Sequence, residues 1–205
     1  GIFTGKGIYE LKTYQRVLEE AIPENMVLSH DLLEGSYVRA ALVTDLMLVD
    51  SYPSKYISYM KRLHRWVRGD WQLIPWLKRK IFNKKMEKVD NPLSYVSKYK
   101  MLDNLRRSLV NPALMILLVA GVSILPGSSL FYAGIVLLTL AFPLFIGLLG
   151  VLFSGGLRIH RLKRHLPGFF GLKASLFQFL LSVVFLPYAA YVALNAIIVT
   201  LFRVL

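Results

Sequence analysis

The sequence predicts a mixed fold: the C-terminal part of an α/β domain, followed by an α-helical transmembrane region of about three spans. Three observations lead there. Charge is segregated: the net +13 of the 205 residues divides into −4 over residues 1–53, +11 over 54–107 and +6 over 108–205. The last of these stretches is strongly apolar and has no acidic residue. The first alternates helix-period and short strand-like apolar runs. Mean hydropathy is +0.50, and charged residues make up 18%, below the roughly 25% of ordinary soluble domains. High charge combined with high hydropathy points to a membrane surface.

Taken in order, Phe3-Thr4-Gly5-Lys6-Gly7-Ile8-Tyr9 sets two glycines around a lysine. It is too short for a phosphate loop and reads as a turn. Leu11, Tyr14, Leu18 and Ile22 recur at helical spacing, and Pro23 ends that helix. Met26-Val27-Leu28 reads as a short strand leading into Ser29-His30-Asp31. Asp31, with Glu34 three residues later, has the form of a capping box, so Asp31 is expected to be the N-cap of a helix reaching about Val43. A carboxylate at a strand-to-helix turn can also act as a general base, because the helix dipole favours its ionised form. Leu46-Met47-Leu48-Val49 reads as a buried strand.

Tyr56, Met60, Leu63, Val67, Trp71 and Ile74 define an amphipathic helix from Ser54 to about Ile74, with Pro75 at its end. Its other face carries Arg62, Arg65, Trp66 and Gly69. That face suits two tasks. It can lie on anionic lipid with Trp66 at the headgroups, or it can form a site in which Arg grips diphosphate and indole stacks on a sugar. Lys78–Lys88 reads as a basic linker without chemistry. After Asn91-Pro92, the stripe Val96, Tyr99, Leu102, Leu105 and Leu109 predicts an in-plane interface helix that feeds the first span.

From Ser108 to Leu157 no residue is charged. As one helix these 50 positions would run about 75 Å, far beyond a hydrocarbon core of about 30 Å. Pro126-Gly127-Ser128-Ser129 is the turn that divides the run. The expected spans are 109–125, 130–153 and 174–202, with Pro187 a candidate kink in the third. Lys98, Lys100, Arg106 and Arg107 precede the first span, and Arg158, Arg161, Lys163, Arg164 and Lys173 lie between the second and third. By the positive-inside rule both segments are cytoplasmic, the Pro126–Ser129 turn is external, and Leu205 ends near the outer face. Three regions follow: 1–78, an interface segment 79–107, and the membrane part 108–205. The first residue, Gly1, opens no apolar leader segment, and the chain ends at a span boundary. A piece of a longer protein without a signal peptide is therefore expected.

Several chemistries are excluded. There is no cysteine, hence no disulfide, thiolate metal site or thiol nucleophile. No His/Asp/Glu set has metal-ligand spacing, and no G-x-S-x-G elbow exists; His30 and His64 read as hydrogen-bonding groups. Nucleic acid is an unsuitable partner for a basic segment that abuts a membrane span.

Asp31, followed 31 and 34 residues later by Arg62 and Arg65 in Arg62-Leu63-His64-Arg65-Trp66 and then by spans, resembles the C-terminal part of processive, membrane-bound family 2-like glycosyltransferases. Their catalytic Asp closes a T/S-x-D motif and their Q-x-x-R-W motif lies on an interfacial helix. Four longer strings resemble the glycosyltransferase region of cyclic β-1,2-glucan synthases: residues 3–9, Pro23-Glu24-Asn25, residues 28–35 (Leu-Ser-His-Asp-Leu-Leu-Glu-Gly) and residues 64–73. In that family the first motif position is Arg, as at Arg62.

The resemblance implies a GT-A-like domain and inverting transfer of glucose from UDP-glucose to a growing β-1,2-glucan on the cytoplasmic side of the inner membrane. Asp31 would be the base. Arg62, Arg65 and Trp66 would bind leaving diphosphate and acceptor sugar, and Gly5, Lys6 and Gly7 would bring backbone close to the acceptor. His30, Glu34 and Asp70 would support them. It also implies a divalent metal, Mg or Mn, held by a D-x-D motif. None occurs in these 205 residues, so the metal and the nucleotide-binding half would belong to the rest of the polypeptide. The competing readings are a membrane polysaccharide synthase of another sugar or linkage, and a non-enzymatic membrane scaffold or transporter piece.

Overall fold

A computed structural model describes residues 7–27, 30–41, 43, 51–153 and 162–204, with side-chain surroundings given outside 151–170 and 204. The elements are helices α1 (Leu11–Leu18), α2 (Asp31–Val38) and α3 (Tyr56–Gln72), a 3-10 turn (Ile74–Leu77), strands β1 (Lys80–Phe82) and β2 (Lys88–Asp90), and helices α4 (Tyr95–Ser123), α5 (Ser129–Phe153) and α6 (Leu162–Val204). Two compact units result. One is residues 1–109 with 192–205, and the other is Val110–Tyr191.

The protein is mostly helical. Among the described residues the only sheet is the antiparallel pair β1–β2, with Ile81 opposite Val89. The expected strand at Met26–Leu28 is not formed: Met26 lies in a turn, and Leu28 falls outside the described residues. The expected strand Leu46–Val49 also falls outside them. The GT-A part of the fold class is therefore not seen.

In the first unit, Leu32 and Leu33 of α2 pack with Leu73, Trp76, Ile81, Leu93 and Met101 in one apolar core. Trp76 is brought there by the 3-10 turn, which Pro75 starts by supplying a fixed φ near its first position. The loop Asn91 locks the next corner: its amide donates to the carbonyls of Trp76 and Lys78, and its oxygen accepts from the Leu93 N–H at 2.9 Å. The expected basic linker is thus a hairpin. Three-residue strands are marginal alone. This pair is held by buried Ile81 and by the Lys84 N–H, which donates to the Glu20 carbonyl at 3.0 Å.

Helix ends differ from the sequence reading in two places. Helix α1 stops at Leu18, before Ile22, which packs on the core from a turn. Helix α2 stops at Val38 because Arg39 takes the left-handed conformation, φ 61°, which a helix cannot continue.

Helix α4 runs unbroken from Tyr95 through Pro112 to Ser123. The expected interface helix and first span are therefore one element of 29 residues, about 43 Å long. Along its first turns Tyr95, Val96, Tyr99 and Leu102 stay exposed. Met101, on another side, is the residue that enters the core. Three helices are long and apolar enough to cross a membrane: Tyr95–Ser123, Ser129–Gly150 and Gly171–Arg203.

Helix α6 has 43 residues and no break at Pro187; at about 65 Å it exceeds a hydrocarbon core twofold. Lys163, Arg164 and Lys173, expected in a loop, lie on it. Its end packs in the first unit, where Ala196 and Ile197 cover Val67 of α3. Leu205 is outside the described residues. The turns before it share a unit with α3, where small Ala193 and Ala196 admit a neighbouring helix and Asn195 finds a polar partner.

In the second unit Leu114, Val136 and Leu186 form one cluster. The α4–α5 turn puts Gly127 at φ 102°, a conformation suited to glycine. A Cβ on Gly121 would lie 2.5 Å from the Tyr132 Cβ, whereas one on Gly134 meets nothing within 4 Å. Gly121→Ala is therefore expected to lower stability by about 1–3 kcal/mol, measured by unfolding in mixed micelles, with Gly134→Ala close to neutral.

Candidate functional site

The site is built on α3. Residues 60, 63, 64, 67 and 71 share one face and 62, 65, 66 and 69 the opposite one, as 3.6 residues per turn requires. The first face is buried. Val67 and Leu63 lie against α6, His64 Nε2 is 3.0 Å from the Asn195 Oδ1, and the Trp71 indole N–H donates to the Ser108 hydroxyl at 3.0 Å. His64 therefore fills the hydrogen-bonding role read from the sequence. The second face is open: Arg65 is exposed, Trp66 is 51% exposed, and the Arg62 guanidinium lies 5.8 Å from the Trp66 ring centre. At that distance the pair is a cation–π contact, which pre-orients both side chains.

The start of α2 reaches α3 on this open face. A Cβ built on Gly69 would lie 3.0 Å from the His30 ring Cδ2 and 3.3 Å from its Nε2. A side chain there would push the ring back by a few tenths of an ångström, so glycine suits the close approach of α2. Toward the start of α3 the same face carries Arg65 and Trp66 one turn away and Arg62 about two turns away. His30 Nε2 is also 3.4 Å from Asp70 Oδ1, both side chains being largely buried.

Asp31 is not the N-cap. His30 occupies that position, with extended backbone and no side-chain cap bond, and Asp31 is the first helical residue. The returning bond is made by Glu34, whose Oε1 accepts the His30 N–H at 3.2 Å. The Asp31 carboxylate is thereby left free of capping. It has no hydrogen bond or ion pair with a described residue, and it sits in the first turn, where the helix dipole favours an anion.

Tyr14 closes the other side, donating to Glu34 Oε2 at 2.8 Å. Its hydroxyl is pushed up to about 12 by burial, by that hydrogen bond and by the nearby charges of Glu34 and Asp31.

The structure thus brings His30 together with Glu34, Gly69 and Asp70; Asp31 follows His30 in sequence, and Arg62, Arg65 and Trp66 lie on the α3 face that also carries Gly69. It does not place Gly5 and Lys6, which lie outside the described residues, as does Ser29. Gly7 is described and exposed, in no regular element. Among the described residues no group of three His, Cys, Asp or Glu could hold a metal ion. Sequence reasoning missed Tyr14 as a polar partner, Asn104, whose amide donates to Asp70 at 2.7 Å, and Asn195. Asn195 had a usable signal, since a lone amide in an uncharged run needs a partner. Asn104 had none.

No protein-family model matches the chain. The cyclic beta-(1,2)-glucan synthase NdvB of Rhizobium meliloti (strain 1021) is 41% identical over 208 residues, taking in 99% of this chain and 7% of that protein's length. The resemblance to cyclic β-1,2-glucan synthases therefore extends over nearly all of this chain, while the chain spans only a small part of the relative.

Because the folded Tyr14 hydroxyl titrates above its usual value of 10, its contribution is full below pH 10 and fades as pH rises towards 12. Tyr14→Phe is expected to cost about 1 kcal/mol at neutral pH. The gap from wild type should narrow through that window in unfolding measured against pH.

Proposed function

We propose that this chain forms the acceptor-side and membrane-entry part of a membrane glycosyltransferase that extends β-1,2-glucan from UDP-glucose with inversion, for cyclic glucan synthesis. The observation that carries the reading is the seating of the Asp31 turn at Gly69, on the same α3 face as Arg62, Arg65 and Trp66. In this reading the Asp31 carboxylate works with exposed Arg65, partly exposed Arg62 and the exposed Trp66 indole. Homology to a glucan synthase supports the same class.

In this proposal Asp31 accepts the proton of the acceptor 2-hydroxyl. That oxygen attacks the anomeric carbon as the bond from carbon to the diphosphate oxygen breaks. The bond's electron pair leaves on UDP, and the α-linked donor becomes a β-linkage. Arg65, with Arg62, neutralises the charge that gathers on the leaving diphosphate. Trp66 offers its face to the acceptor sugar. Gly5, Lys6 and Gly7 are proposed to line the acceptor's path. The divalent metal is assigned to residues elsewhere in the polypeptide, since the described residues here offer no ligand set, and no step is routed through it. The α1–α3 part is proposed to be cytoplasmic, with the apolar helices in the inner membrane. Its partners are UDP-glucose, the growing glucan, the lipid bilayer and the rest of the polypeptide, with its nucleotide-binding half.

The test uses the full-length protein in membranes and labelled UDP-glucose. Asp31→Asn is expected to reduce incorporation at least about 10²-fold with insertion unchanged; normal incorporation would remove Asp31 as the base. Arg65→Lys should lower turnover by about 10²-fold, because an ammonium cannot make the paired contacts of a guanidinium. Trp66→Ala should raise the acceptor KM with a smaller effect on the donor KM.

A further inference from the structure

We propose that Asp70 is a positioning residue for Asp31, and that Asn104 of α4 holds Asp70 in place. The inference rests on Asp31 being the base. His30 immediately precedes Asp31 and is gripped on two sides. On one side, its backbone N–H donates to Glu34, which the Tyr14 hydroxyl also reaches. On the other, the Cδ2–Nε2 edge of its ring fills the gap at Gly69, with Nε2 3.4 Å from the Asp70 carboxylate. The same carboxylate oxygen accepts from the Asn104 amide at 2.7 Å, and the Asn104 oxygen accepts from Arg107. A polar chain therefore crosses four helices, from Tyr14 on α1 through Glu34 and His30 at α2 and Asp70 on α3 to Asn104 on α4. Asp31 is the residue that follows His30 in that chain.

The chemistry of the chain argues for position rather than stability. A largely buried carboxylate facing an imidazole and an amide costs desolvation that an apolar contact would avoid. No lysine or arginine among the described residues pairs with Asp70. Its two partners fix a direction instead: Asn104 holds the carboxylate, and the carboxylate faces the His30 Nε2 at 3.4 Å and so orients the ring. Rotation of that ring, or its displacement by a side chain at residue 69, would move the peptide that carries Asp31. Because α4 also enters the membrane, the position of the base is set by a helix that spans the bilayer.

The experiment measures kcat and donor KM with labelled UDP-glucose in membranes holding the full-length protein. Asp70→Asn, Asn104→Leu and Gly69→Ala are each expected to lower kcat about 10- to 100-fold, the effect of a misplacement near 1 Å. Donor KM should change less than about threefold and inserted protein should stay constant. His30→Gln, which keeps an N–H within reach of Asp70, should retain several-fold more activity than His30→Ala. Wild-type kcat in Asp70→Asn, which is close to isosteric and decides the matter if Gly69→Ala fails to insert, would overturn the proposal. So would a rise in donor KM without loss of kcat, or a His30→Gln no better than His30→Ala. Asp31→Asn in the same assay separates the two claims. Full turnover there defeats the base reading. A dead Asp31→Asn beside a fully active Asp70→Asn defeats only the positioning role.

Discussion

The polar half of this protein depends on a missing side chain. Gly69 sits in the middle of the last turns of α3, where helix propensity alone would disfavour it by about 1 kcal/mol against alanine. The vacancy is filled by the His30 ring. That contact fixes how closely the start of α2, where Asp31 follows His30, approaches α3. The remaining contacts of the site follow from it. Asp70 can reach His30 because the ring is already against the helix, and Glu34 can serve the His30 N–H because Asp31 is drawn into the helix as its first residue.

Helix α3 must also satisfy a second, apolar demand. Its buried face is taken by α6 and by the membrane-side stretch of α4, through Val67 on Ala196 and Ile197, His64 with Asn195, and Trp71 with Ser108. One helix therefore carries a solvent-facing Arg–Trp surface and a packing surface for helices that run on into apolar spans. This explains a charge pattern that looked like one basic region. Arg62, Arg65 and Arg68 belong to the site helix. Lys84 and Lys85 are paired with Glu24 and Glu20 at the hairpin, and Arg106 and Arg107 share Asp103 on α4.

Much of the fold was legible because it is periodic. The α3 stripe, the turn at Pro126–Ser129 and the apolar runs were all readable from spacing and charge alone. The parts that were not legible are those set by contacts distant in sequence. The hairpin has three-residue strands, too short for alternation to register, and is stabilised from outside by Ile81 in the core. The capping box at Asp31 and Glu34 fits one register of the helix start, but the chain adopts the register one residue earlier, because His30 is drawn into the gap at Gly69. Asn104, on a stripe that reads as amphipathic, gave no hint of its partner on α3. Asp31, Arg65 and Trp66 could be named as candidates from motif and spacing; the contact of the His30 ring with Gly69 could not, because Gly69 acts through an absence.

The most direct test of this account is a short-range cross-link. His30→Cys and Gly69→Cys are introduced together into the full-length protein, with cysteines outside this cysteine-free chain removed. The shortest bis-methanethiosulfonate reagent is then applied to membranes. The account predicts efficient linkage of this pair and little for His30→Cys with Arg62→Cys, about 10 Å further along the helix. Linkage of the second pair without the first would contradict the seating of α2 on Gly69, on which the proposed chemistry depends.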